Sequence, residues 1–113
     1  MSESARLPTH IEVGGLIRAV EAAGGFATVL AKGERDAGSL LVICCARGEN
    51  ARLFERMPDL EGGRSWSLSR EQDLENPIDF THYWQRRSRQ DPDCWIVELD
   101  IADGERFIGL SGT

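Results

Sequence analysis

At 113 residues, with 41% hydrophobic and 28% charged side chains, the chain has the proportions of one globular domain and no room for a second core, which excludes disordered, collagenous and disulfide-scaffold classes. Nineteen acidic residues against thirteen basic ones leave a formal charge of -6, which opposes attraction to nucleic acid or anionic lipid. The longest strongly apolar run, Leu40 to Ala46, has seven residues where a spanning helix needs about twenty, so no membrane partner is expected either.

Residues 1–7 are small, polar and charged and read as a flexible lead-in to a single domain over 8–110. No apolar signal region follows Met1, so the cytoplasm is the expected compartment. Three cysteines, two of them adjacent at Cys44 and Cys45, form an odd set that suits a reducing environment.

The first helix begins at Pro8-Thr9. Thr9 as N-cap and Glu12 three positions on match a capping box, and Val13, Leu16, Ile17 and Val20 repeat at helical spacing along one face. Gly14 and Gly15 each weaken that helix by about 1 kcal/mol relative to Ala unless something packs closely on them. Gly24-Gly25 is the stop signal.

Short apolar runs divided by turn clusters follow, the pattern of antiparallel strands. They are Phe26–Ala31, a polar hairpin loop over 32–38, an apolar central strand over 39–46, a turn at Arg47-Gly48-Glu49-Asn50, a strand over 51–56, a loop over 58–63, and a half-buried strand over 64–70 with Trp66 and Leu68 on one face. A second helix opens at Asn76-Pro77, with Asn76 as N-cap and Asp79 suited to the positive helix end. Phe80, Tyr83 and Trp84 form its apolar face, Arg86, Arg87 and Arg89 lie near its negative end, and Asp91-Pro92-Asp93 stops it. A β-branched strand over 94–101 comes next, and Asp103-Gly104 is a hairpin signal into a short last strand. The expected fold is α+β in two layers, an antiparallel sheet of about five strands with two helices.

Two segments carry a family likeness. The hairpin Gly33-Glu34-Arg35-Asp36-Ala37-Gly38 before an apolar strand, and the run Arg89-Gln90-Asp91-Pro92-Asp93-Cys94-Trp95-Ile96-Val97-Glu98, resemble the bacterial domain-of-unknown-function family fourteen ninety-one. In that family's pattern Asp is usual at the place of Glu34, an aromatic at Glu12 and Leu at Cys94. The resemblance implies a small cytoplasmic α+β protein without a known activity, and it transfers no catalytic residue.

The chemistry available to the chain is sparse. Two histidines and three cysteines lack Cys-x-x-Cys or His-x-x-x-His spacing, so neither a metal nor another cofactor is expected. The cysteines fall in strands, where successive side chains face opposite ways, and read as inert thiols. His82 reads as a surface histidine, and His10, in the first helical turn, has no assigned role. The Gly33–Gly38 segment lacks the phosphate-cradle pattern and opens no helix. Asp91 and Asp93 flank a proline in ordinary turn chemistry, where carboxylates stay solvated and pair with Arg86, Arg87 or Arg89. The cluster Arg86-Arg87-Ser88-Arg89 beside Trp84 has the composition of a phosphate or base contact, but the net charge opposes a long polyanion.

Three functional classes follow. A noncatalytic protein-interaction module or adaptor, with a protein partner or a homodimer through a sheet edge or a Trp-bearing face, leads because no catalytic constellation emerges. Its candidate surface is Trp84, Arg87, Asp91, Asp93 and Trp95. A small-molecule sensor with a pocket lined by Trp66, Trp84 and Trp95 is the alternative. An enzyme using Asp91 and Asp93 with the arginines ranks third. The Asp91-Pro92-Asp93-Cys94-Trp95 segment itself is expected to be structural, with Trp95 packed beneath a helix.

Overall fold

The structure, a computed structural model, describes residues 7–58 and 60–110. Residues 1–6, most of the expected lead-in, lie outside the described residues, as does Asp59 of the expected loop. Two helices and five strands follow in the order α1 (Thr9–Ala22), β1 (Phe26–Ala31), β2 (Leu40–Ala46), β3 (Glu49–Pro58), β4 (Arg64–Glu71), α2 (Pro77–Gln90) and β5 (Trp95–Asp100), and a short 3-10 helix spans Gly104–Ile108.

The strands form one sheet in the order β1-β5-β2-β3-β4. Strands β2, β3 and β4 are the expected antiparallel meander, but β5 inserts between β1 and β2 and runs parallel to β2. The sheet is therefore mixed, and the 32–38 segment is a crossing loop rather than a hairpin between neighbours. The physical reason is burial. Trp95, Ile96, Val97 and Leu99 are buried on both faces of β5, so this strand belongs inside the sheet, whereas β1 leaves Phe26 73% exposed and tolerates an edge.

The helices cover opposite faces. Val13 and Val20 of α1 pack with Leu40, Val42, Cys44, Phe54, Trp95, Val97 and Leu99. Phe80 of α2 packs with Leu41, Ile43, Cys45, Leu53, Cys94 and Ile96. This alternation along β2 and β5 gives three layers, helix, sheet and helix, where two were expected.

Three local expectations are also corrected. Thr9 is the first residue of α1 rather than its cap: its hydroxyl donates to the Gly38 carbonyl at 2.8 Å, while Glu12 leaves the helix backbone to pair with Arg56 of β3. Asn76 precedes α2 without a side-chain capping bond, although Pro77 does open the helix. The last segment is helical rather than a strand, because Asp103 adopts a left-handed backbone (φ 59°), Glu105 reaches Arg52, and Phe107 and Ile108 pack on the α1 face. Among the described residues no helix is long and apolar enough to cross a membrane.

Candidate functional site

The two segments that carry the family likeness meet. Loop 33–38 wraps the start of β5, and its backbone and side chains are spent on holding it there. The Glu34 N–H donates to the Asp93 carbonyl at 3.0 Å, and the Trp95 indole Nε1 donates to the Glu34 carbonyl at 2.8 Å. Thr9 and His10 donate their backbone N–H groups to Asp36 and Arg35, so the first turn of α1 is satisfied by loop carbonyl oxygens instead of a cap. The Glu34 carboxylate accepts the N–H groups of Ala37 (2.7 Å) and Asp36, and these bonds hold it below its usual value. Gly33 and Gly38 are required by contact: a Cβ at either would fall inside van der Waals distance of the Asp93 carbonyl oxygen. His10 takes part here, its Nδ1 lying 3.0 Å from the Arg35 carbonyl.

The expected surface residues are thereby separated. Trp95 is 4% exposed and belongs to the core on the α1 side, packed as its structural reading requires. Trp84 is half-buried against the opposite core. Arg87 lies along α2 and grips Glu55 of β3 with two bonds, at 2.8 and 3.2 Å, and donates to the Tyr83 hydroxyl. That pairing holds the Glu55 carboxyl below its ordinary range and the Arg87 guanidinium above its own. Asp91 and Asp93 are exposed; the Asp91 carboxylate accepts the Asp93 N–H at 3.2 Å, which closes the turn. Among the described residues neither aspartate forms an ion pair with Arg86, Arg87 or Arg89.

The cysteines are buried, free and protonated. Burial pushes Cys44 up to about 12 and Cys45 and Cys94 up to about 11. Cys44 and Cys45 face opposite sides of the sheet. Among the described residues no group of three His, Cys, Asp or Glu side chains is placed to hold a metal ion.

The β4 side of the sheet is more open. There, on the α1 face, two adjoining clefts form a trench with Trp66 in its floor. One cleft of about 520 Å³ is lined by Arg56, Trp66, Ile108 and the Gly62–Ser65 backbone. A second of about 320 Å³, which shares Trp66 and Ile108, runs between Gly15, Leu16 and Ala19 of α1 and Phe107. The Glu12–Arg56 ion pair bridges the two, with the Arg56 guanidinium 5.1 Å above the Trp66 ring. Trp84 and Trp95 line neither cleft. Gly15 gains nothing from packing, since a Cβ there would meet only the tip of Arg18 at 3.9 Å. Beyond the trench β4 is the outermost strand among the described residues, with Leu68 48% exposed.

Glu12, Arg56, Gly15, Phe107 and Ile108 were not anticipated at a site. The signal for them is the glycine pair inside α1, which costs helix stability and which no packing contact requires.

The family model for DUF1491, described as a protein of unknown function, matches residues 7–109. The fold is similar to the crystal structure of a DUF1491 family protein from Caulobacter crescentus CB15, with 40% identity over 94% of this chain and 98% of that one and a TM-score of 0.80. An NMR structure of a DUF1491 family protein from the same organism gives 41% identity, coverage of 89% and 91%, and a TM-score of 0.74. Protein Atu0922 from A. tumefaciens, solved in solution, gives 29%, 86%, 87% and 0.67. No curated protein matches.

Proposed function

Because this chain belongs to the DUF1491 family, whose description assigns no activity, we propose from its own geometry that it is a noncatalytic protein-interaction module whose recognition surface is the open β3–β4 end of the sheet. The observation that carries this reading is the Trp66 trench beside β4, the outermost strand. A half-buried aromatic anchor, flanked by apolar and small residues and rimmed by an ion pair, has the make-up of an interface centre. Elsewhere three ion pairs tie elements of the fold together: Arg87 with Glu55, Arg52 with Glu105 and Arg70 with Asp79.

The surface differs from the one drawn from sequence. Arg87 and Trp95 are committed internally, so recognition moves from the Asp91–Trp95 turn to Trp66, Leu68 and their neighbours. A sensor reading remains the alternative, favoured by the volume of the trench, but with Trp66 as its single tryptophan.

A photoreactive residue in place of Leu68, with another in place of Leu74 as control, tests the reading in cells that express the protein. The expected result is a discrete protein adduct from position 68 alone. A saturable rise in melting temperature with one metabolite, and no adduct, would transfer the trench to a small molecule, since a ligand bound only by the native state stabilises it by mass action.

A further inference from the structure

We infer that the outer edge of β4 receives an extended acidic segment of a partner protein, which adds to the sheet as a sixth strand and sets its carboxylates against Arg70 and Arg86. This rests on the recognition reading above and names the chemistry of the partner.

The charge distribution points there. Strands β3 and β4 and helix α2 carry seven arginines against four acids, a surplus of three positive charges in a chain whose net charge is -6. Three of those guanidiniums crowd one ring: Arg70, Arg86 and Arg87 lie 4.6, 5.7 and 5.9 Å from the Tyr83 centroid. Asp79 and Glu55 neutralise Arg70 and Arg87, and among the described residues no carboxylate pairs with Arg86. Like charges this close repel unless an anion joins them.

The backbone supplies the second half. From Arg64 to Leu68 the strand pairs regularly with β3 on its inner side, and the irregularity comes only beyond Leu68. Ser65 and Ser67, small and exposed, stand on the face that also bears Arg70 and Tyr83, so an added strand meets no bulk there. Strand addition uses main-chain groups for affinity and alternate side chains for selection.

Other occupants fit less well. The opposite edge, β1, has no charged residue from Phe26 to Ala31, and Glu98 and Asp100 stand beside it on β5, so an acidic strand is repelled there. A second copy paired through β4 would face one arginine cluster with its twin across a two-fold axis. Nucleic acid offers no strand backbone and is repelled by the net charge.

The test uses the full chain and a short labelled peptide alternating Glu and Val, with Gln replacing Glu in its control and a single-stranded oligonucleotide of equal charge as competitor. At low salt the Glu peptide is expected to bind about tenfold more tightly than the Gln peptide, an advantage that salt erodes. Arg86→Glu should remove most of that advantage while leaving the urea midpoint unchanged, and Arg18→Glu, the same charge change on α1, should not. Amide exchange should slow in Ser65–Leu68. Equal affinity for the two peptides, no binding of either, tighter binding of the oligonucleotide, or protection confined to β1 would overturn the inference. A crosslink from position 68 without protection of β4 would overturn strand addition alone and leave the recognition reading standing; absence of both removes both.

Discussion

Toward the β1–β5 end of the strand order, loop 33–38 turns its carbonyl oxygens inward to Thr9, His10 and the Trp95 indole; at the other, β4 turns serines and Leu68 to solvent. Both ends contain a tryptophan, a glycine pair and a carboxylate. At the closed end each has a partner that explains it: Trp95 bonds Glu34, Gly33 and Gly38 admit the Asp93 backbone, and Glu34 caps its own loop. At the open end Trp66 is half-buried beneath a guanidinium, and Gly14 and Gly15 are required by no contact. The segments that carry the family likeness thus build the fold, and the proposed recognition surface falls on the less distinctive β3–β4 hairpin.

Emptying the two tryptophan sites should separate the two regions most strongly. Trp95→Ala is expected to cost about 3–5 kcal/mol in urea unfolding, the loss typical of a large buried aromatic. Trp66→Ala should cost about 1 kcal/mol, the scale of a cation–π contact with partial burial. Equal losses would remove the distinction.

The glycines extend it with opposite signs. Gly38→Ala drives a Cβ into the Asp93 and Glu34 backbone and should cost about 1–3 kcal/mol, the usual range for overpacking. Gly15→Ala should stabilise the protein by about 0.5–1 kcal/mol through helix propensity, while narrowing the trench. A destabilised Gly15→Ala variant would mean that the helix face is packed rather than open.

These contrasts mark what local pattern can reveal. Helical spacing and alternation located both helices and all five strands because each depends on neighbours in sequence. The insertion of β5 between β1 and β2 depends on residues more than fifty positions apart, and a glycine-bounded loop that crosses a strand end reads the same as one that joins two neighbours. Thr9 and Glu12 matched a capping box, but tertiary partners at Gly38 and Arg56 replaced the local ones. The Trp66 trench was illegible for the same reason, since α1, β3, β4 and the 3-10 helix each contribute one wall.

A smaller effect sharpens the account of α2. Arg87 holds the Glu55 carboxyl below its usual value of 4.5, so the stability from this pair is fully present above the unfolded value and is lost as pH falls through the folded one. Glu55→Gln should flatten the decline of the urea midpoint below about pH 4.5, by a modest amount because the pair is only part-buried and solvent still screens it. An unchanged acid limb would show that the pair contributes nothing.

Native-state amide exchange tests the closed-and-open contrast most directly. The amides of Glu34, Cys94 and Trp95 and the Trp95 indole N–H should exchange only through global unfolding, together with central β2, while the outward amides of Ser65–Leu68 exchange through local opening. Clamp amides that exchange as fast as those of the β4 edge, or a β4 edge protected to the global limit in the free protein, would contradict the account.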